Sequence, residues 1–141
     1  MVQNRNVRLL LALLLPTFCP APVATWATEG ARIDVIDADT VEQDGVRWHL
    51  VGLDAPEIHR ARCVEERRRG ILAAARLIAL LASEGGRLEA AGKGREKFGR
   101  RLGRLMIGTP GRDWAEIAIA EGHAVAWDGK GKAPDWCSRA P

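Results

Sequence analysis

One long helical segment, predicted over residues 63–81, interrupts a series of short strand-like runs and so constrains the fold more than any other feature. Its apolar residues recur at helical spacing, and Glu65 and Glu66 suit the positive N-terminal end of a helix. The predicted inward-facing positions are Ile71, Ala74, Ala75, Ile78 and Leu81. Residues 83–86 end the segment, because they contain two consecutive glycines.

Five strand-like runs surround this helix, three before it and two after it. They cover residues 31–37, 40–42, 46–53, 86–91 and 101–107. Gln43-Asp44-Gly45 is typical of a hairpin turn. A second helix is predicted over 113–121, with Asp113 as its N-cap and Gly122 after its end. This order favours an α+β fold, a five-stranded Greek-key β-barrel of the OB type with two to three helices, over βαβ winding.

The N-terminal 27 residues are typical of a secretion signal peptide. Arg5 and Arg8 precede an apolar run, residues 9–15, that is too short to span a bilayer. We expect cleavage after Ala27, within a few residues, and a single domain over 28–141; the alternative is a retained anchor helix. The protein would then be exported, periplasmic or secreted, without stable membrane association.

Removal of the signal peptide would change the charge balance. It would remove two basic residues and leave 19 Lys and Arg against 18 Asp and Glu, a net charge of +1 rather than +3. A general basic coat for nucleic acid is therefore not expected, and any site for a polyanion must be local.

Two cysteines, Cys63 and Cys137, remain after the signal peptide. An exported protein meets an oxidising compartment, so we expect a disulfide between them, which would contribute about 3–5 kcal/mol across so long a loop. The alternative is two separate buried thiols. A zinc site is not expected, because the close spacing of His and Cys ligands is missing.

Acidic residues follow the first and third predicted strands. Asp39 lies at the junction of the first two strands, and Asp54 and Glu57 lie just past the third. If those strands are neighbours, Asp39 and Asp54 converge and form a site for a hard cation, Ca²⁺ or Mg²⁺. Glu57 is then a candidate to orient or deprotonate water. The alternative is that these acids serve only turns.

A charged turn joins the last two predicted strands. It contains Lys97, Phe98, Gly99 and Arg100 in sequence. The guanidinium of Arg100 is suited to a phosphate, and the glycine allows close approach of the backbone to a ligand. The alternative is a solvated hairpin turn.

Four motifs together resemble the staphylococcal nuclease (thermonuclease) family over residues 31–127. Asp37-Ala38-Asp39-Thr40 resembles D-G-D-T, and Leu53 to Glu57 resembles V/I-D-T/A-P-E. Lys97 to Arg100 resembles K/R-Y/F-G-R, and Glu121 to Ala124 resembles Q/E-G-x-A. Each motif alone is weak, but all four occur in the family's order and spacing.

This resemblance implies an OB-fold, Ca²⁺-dependent nuclease that hydrolyses DNA and RNA phosphodiesters. We expect single-stranded DNA or RNA as its substrate, and a monomer, since the sequence gives no sign of an oligomer. The resemblance also implies a role for each matching residue. The implied metal ligands are Asp39, Asp54 and the carbonyl of Ala55; the general base is Glu57; the phosphate-binding arginine is Arg100; the nucleotide pocket contains Lys97, Phe98 and, more loosely, Trp127.

Two residues depart from the family pattern. Ala38 replaces a glycine and would cost about 1 kcal/mol if its backbone needed a positive φ. His49 lies where the family has a second catalytic arginine, and a neutral imidazole supplies one donor rather than a charged fork. Three interpretations of His49 follow. It is a substitute that becomes protonated because the phosphate raises its pKa, with activity that improves modestly at acid pH; or it indicates a degraded nuclease that still binds nucleic acid; or Arg47, two residues earlier on the same strand face, reaches into the site. We expect a weakened nuclease, with the binding module as the alternative.

Overall fold

Two helices and eight strands account for the regular structure in the computed structural model, which describes residues 32–138. The elements are β1 Ile33–Asp37, β2 Thr40–Gln43, β3 Val46–Leu50, β4 Gly52–Asp54, α1 Val64–Glu84, β5 Gly86–Arg95, β6 Arg101–Ile107, β7 Arg112–Asp113, α2 Trp114–Ala120 and β8 Val125–Trp127. The fold is α+β. The predicted signal peptide lies outside the described residues. No helix within residues 32–138 is long and apolar enough to cross a membrane.

Most of the strands form one mixed sheet in the order β1-β2-β3-β6-β5, with β7 paired to β6. The neighbours are antiparallel except β3 and β6, which run parallel. β4 and β8 form a separate antiparallel pair. Among the described residues, the two outer strands of this order, β1 and β5, are not paired with each other. The structure therefore shows a mixed sheet with two helices, and the closed barrel stays a prediction.

The predicted strand 46–53 is in fact two strands. The chain bends at Val51, and Gly52 adopts a φ of +89°, a conformation that favours glycine. This bend breaks the alternation of side chains. Strict alternation over 46–53 would place Leu53 on the same face as His49, but the Leu53 side chain instead turns into the core and is 1% exposed.

The position of α1 was predicted closely, but the face that it buries was predicted only in part, since Ala74 is buried and Leu81 packs against the core while Ala75 is exposed. Ile71 and Ile78 are 50% and 53% exposed, while the buried face carries Ala73 and Leu77. The reason is Gly70, where an added Cβ would lie 2.7 Å from the carbonyl oxygen of Pro56. The helix approaches the Pro56–Glu57 backbone through its smallest residue, and this contact fixes its rotation.

α2 anchors the turn that carries the first acidic motif. Its predicted N-cap is confirmed, since the Asp113 carboxylate accepts a hydrogen bond from the Ala115 amide at 3.0 Å. Trp114 is fully buried, and its indole N–H donates to the carbonyl of Ala38 at 2.6 Å. The core therefore holds the β1–β2 turn directly.

Candidate functional site

A single cavity of about 960 Å³ brings together all of the residues predicted to form the site. Its lining includes Asp39, His49, Asp54, Ala55, Glu57, Lys97, Phe98, Arg100 and Trp127. They come from the β1–β2 turn, β3, β4 and the segment after it, the β5–β6 turn, and β8. Segments distant in sequence thus contribute to one concave surface.

Asp39 is buried in the wall of this cavity. Its carboxylate accepts hydrogen bonds from the hydroxyl of Thr40 at 2.9 Å and from the amide of Ala55 at 3.4 Å. Burial raises the pKa of Asp39 to about 6, since neither donor carries a charge that would offset the loss of water. The buried carboxylate is therefore suited to a cation.

Ala38 supports this arrangement without strain. Asp44 is the only non-glycine residue with a positive φ in the part of the chain that the structure describes. The expected penalty at Ala38 is therefore wrong, because its backbone does not need the conformation that favours glycine. Ala38 is fully buried, so its side chain adds to the core beneath the site.

Asp54 lies at the end of β4 and is held by a residue from the C-terminal segment. The indole N–H of Trp136 donates to Oδ2 of Asp54 at 2.7 Å. Burial raises the pKa of Asp54, the negative charges of Asp39 and Glu57 raise it further, and the indole bond opposes both effects. Asp54 is thus a second partly desolvated carboxylate near Asp39.

Glu57 has one paired and one unpaired carboxylate oxygen. Its Oε1 accepts a hydrogen bond from Nη2 of Arg60 at 3.2 Å. Its Oε2 is buried and has no hydrogen-bond partner among the described residues. Because buried acceptors are nearly always satisfied, this oxygen marks a place for a water or ligand.

The carboxylates do not form a tight three-residue cluster by themselves. Within residues 32–138, the one group of His, Cys, Asp or Glu ligand atoms that all lie within 4.8 Å of one another is Cys63, Glu66 and Cys137. The two cysteines of that group form the predicted disulfide, which is confirmed with a Cα–Cα distance of 6.0 Å. A cation at Asp39 and Asp54 would therefore need carbonyl and water ligands as well.

Arg100 lies opposite the acids and is linked to them by hydrogen bonds. Its Nε donates to Glu96 at 3.1 Å, and its Nη1 donates to the hydroxyl of Thr40 at 3.1 Å. Because Thr40 in turn donates to Asp39, a chain of bonds runs from the guanidinium to the buried carboxylate. The guanidinium lines the cavity with N–H donors beyond these two bonds.

His49 lies between these two halves of the site. Sheet register places Thr40, His49 and Leu102 in one row across β2, β3 and β6. Burial lowers the pKa of His49, and the positive charge of Arg100 lowers it further. Its Nδ1 is buried and has no hydrogen-bond partner among the described residues. In the free protein the ring is therefore neutral near pH 7, so its role as a protonated substitute would depend on a bound phosphate that raises its pKa.

Arg47 is not among the residues that line the main cavity. Its guanidinium pairs with Glu42 at 3.3 Å, and it lines a second cavity of about 470 Å³. Arg60, Phe98 and Arg100 line both cavities. Compensation for His49 by Arg47 inside the main cavity is therefore not supported by the geometry.

The residues predicted to contact a nucleotide lie at the mouth of the cavity. Phe98 is 65% exposed, and Nζ of Lys97 lies 4.9 Å from the centre of its ring. Trp127 is half-buried in β8, and its indole N–H donates to the carbonyl of Lys130 at 3.0 Å. An exposed ring beside cations is suited to stacking with a base.

Sequence reasoning missed other residues of the cavity wall, among them Arg60, Arg62, Lys130 and Trp136. A signal existed for two of them. Arg60 follows Glu57 by three residues, and Trp136 directly precedes a cysteine already predicted to be tied to residue 63. Together they add basic charge and a wall that the motifs did not indicate.

No protein-family model matches this chain, and no curated protein matches its sequence. The interpretation of the site therefore depends on its own geometry.

Proposed function

We propose that this protein is a Ca²⁺-dependent nuclease of the staphylococcal nuclease type that hydrolyses phosphodiester bonds of single-stranded DNA or RNA. The observation that carries the proposal is the convergence of every predicted site residue on one cavity. Acids line one part of it, and Arg100 and Lys97 line another. Hydrolysis of a phosphodiester would use both, because the acids would hold a cation, and the cation and Arg100 would neutralise the phosphate and the charge that develops during attack.

We further propose that the sheet belongs to an OB-type barrel. In the path β1-β2-β3-β6-β5, the last of the five strands in sequence, β6, lies between β3 and β5, and β3 and β6 run parallel. A five-stranded Greek-key barrel has this order. The proposal includes a closing contact between β1 and β5 beyond the described pairings.

The donor set fits a hard cation. The available ligands are the carboxylates of Asp39 and Asp54 and the carbonyl of Ala55, and oxygen ligands are those that Ca²⁺ prefers. The hydrogen bonds to Asp39 come from a hydroxyl and an amide rather than from a cationic side chain. When bound, Ca²⁺ would supply positive charge that neutralises and polarises the phosphate.

The protein's own groups supply the remaining chemistry. The Oε2 of Glu57, which has no hydrogen-bond partner among the described residues, would accept a proton from the attacking water. Arg100 binds a phosphate oxygen with its remaining donors and stabilises the charge that grows there. Phe98 stacks on a base, and Lys97 adds charge at the cavity mouth.

Cleavage of single-stranded DNA by the purified protein tests this proposal. We expect cleavage with Ca²⁺, none with a chelator, and none in Glu57→Gln, which also controls for contaminating nucleases. Asp44→Asn, in the exposed β2–β3 turn, is the matched control and should retain the activity. Cleavage that survives in Glu57→Gln would rule out Glu57 as the base. Cleavage without a divalent cation would rule out a requirement for the metal.

A binding module that no longer cleaves is the second candidate, and His49 favours it. Its imidazole is neutral and half-buried where the resemblance implies a charged arginine. DNA binding without cleavage across pH 6 to 9.5 would identify this alternative. Substitution His49→Arg would then show whether the missing charge is the cause.

A further inference from the structure

The C-terminal segment, residues 128–137, forms one wall of the proposed active site. Asp128, Lys130, Pro134 and Trp136 all line the main cavity. Trp136 is 4% exposed, and its indole N–H ends on Oδ2 of Asp54. The segment therefore reaches a carboxylate that we assign to the cation.

This wall is held by side chains rather than by secondary structure. Between β8 and residue 138 the described chain has no helix or strand. Cys137 is bonded to Cys63, the N-cap of α1, and Arg62 donates to the carbonyl of Pro134 at 3.2 Å and pairs with Asp135 at 3.5 Å. The disulfide and Arg62 thus fix the segment on either side of Trp136.

Arg62 is itself anchored by a buried acid. Glu66 is 2% exposed, and its Oε2 accepts hydrogen bonds from the amide of Arg62 at 2.7 Å and from its Nε at 3.4 Å. The Sγ of Cys137 lies 3.8 Å from the same oxygen. One buried carboxylate therefore organises both attachments of the segment at the start of α1.

We propose that Trp136 is a positioning residue for Asp54 and that the Cys63–Cys137 disulfide holds it in place. The inference rests on the proposed function, because it assigns Asp54 to the cation. A carboxylate has two oxygens, and an indole that fixes one leaves the other for a ligand. An indole N–H only donates, so it orients the carboxylate without competing for a cation. A hydrogen bond from a residue that does not itself bind the metal can orient the side chain that does.

The first test measures Ca²⁺ affinity by calorimetry in Trp136→Phe, which keeps a ring but removes the donor. We expect Ca²⁺ to bind at least about tenfold more weakly, the scale found when partners of metal ligands are lost. Trp48→Phe is the matched control, since its buried indole nitrogen has no hydrogen-bond partner among the described residues. Equal Ca²⁺ affinity in Trp136→Phe and the unchanged protein would overturn the positioning role.

A second arm follows the indole N–H of Trp136 by NMR in the unchanged protein with chelator present. We expect slow hydrogen exchange, a resonance that moves in Asp54→Asn, and loss of protection in the double variant Cys63→Ser, Cys137→Ser. Under the same changes the indole of fully buried Trp114 should stay protected. Fast hydrogen exchange of the Trp136 indole N–H in the protein with its disulfide intact would overturn the inference. This result does not depend on whether the Trp136→Phe variant folds, because it is measured on the unchanged protein.

The two proposals fail in different ways. If the unchanged protein binds no Ca²⁺ and cleaves nothing, the nuclease proposal falls, while a protected indole that responds to Asp54→Asn would still support Trp136 as the group that fixes this carboxylate. If Ca²⁺ binds and DNA is cleaved but the indole does not respond to Asp54→Asn, the positioning role falls and the nuclease remains.

Discussion

The buried carboxylate of Asp39 makes the stability of the metal-free protein depend on pH in an unusual direction. Burial raises the pKa of Asp39 from its ordinary value of 3.8 to about 6. The folded protein therefore binds this proton more tightly than the unfolded chain does. The resulting stabilisation is fully present below pH 3.8 and is lost as the pH rises through about 6.

The size of this effect follows from linkage. The full difference between the two pKa values corresponds to about 3 kcal/mol. Between pH 7.5 and pH 4.5 the change in unfolding free energy from this one group is about 2 kcal/mol. For a domain of this size that is about 8 °C in melting temperature. Exposed acids in ion pairs have the opposite effect on stability. Hydrogen bonds from Arg68 and Arg69 lower the pKa of Glu65 to about 2, so the stabilisation that this acid contributes is lost as the pH falls.

Urea unfolding of the protein and of Asp39→Asn, both with chelator, isolates the contribution of Asp39. The difference in unfolding free energy between them should change by about 2 kcal/mol from pH 7.5 to pH 4.5, because the amide does not titrate. Asp44→Asn, at the exposed turn, should follow the unchanged protein. Ca²⁺ at pH 7.5 should stabilise the unchanged protein more than Asp39→Asn. Parallel pH curves for the unchanged protein and Asp39→Asn would refute the claim that burial perturbs this acid.

Three further predictions address the arginine position, the aromatic ring and the helix contact. His49→Arg should raise cleavage on the order of a hundredfold, measured as initial rate with Ca²⁺, and an unchanged rate would show that this position does not limit activity. Phe98→Ala should weaken single-stranded DNA binding about tenfold in a chelator, since one stacked base contributes about 1–3 kcal/mol; unaltered binding would exclude stacking at this ring. Gly70→Ala should lower the melting temperature despite the better helix propensity of alanine, because the new Cβ would lie 2.7 Å from the carbonyl oxygen of Pro56. A higher melting temperature would contradict that contact.

The parts of the site that depend on local sequence were predictable. Turn residues and strand ends fixed the positions of Asp39, Asp54 and Arg100, because short strands that alternate with turns leave little freedom in where each motif falls. The disulfide was predictable from the expected compartment and the number of cysteines. These features need no knowledge of how the elements pack.

Features that depend on packing between distant elements were not predictable. The buried face of α1 was assigned only in part, because several overlapping apolar stripes fit its sequence, and only the contact of Gly70 with the Pro56–Glu57 backbone selects one. Trp136 was missed because the segment that carries it has no periodic pattern. Its place depends on a disulfide and on Arg62, whose partners lie far away in sequence.

The parallel pairing of β3 with β6 places position 49 close to Arg100 and Thr40. It sets His49 beside Leu102, so that Arg100, two residues earlier, begins on the same face of the sheet. Thr40 pairs with His49 on the other side and joins Arg100 to Asp39 through its hydroxyl. Under the proposed function, and with a neutral ring in the middle of this row, Arg100 would bind the anion while it also remains bonded to Glu96. The weakened nuclease and the binding module therefore share one scaffold, and they differ in whether Arg100 alone supplies enough charge at the phosphate.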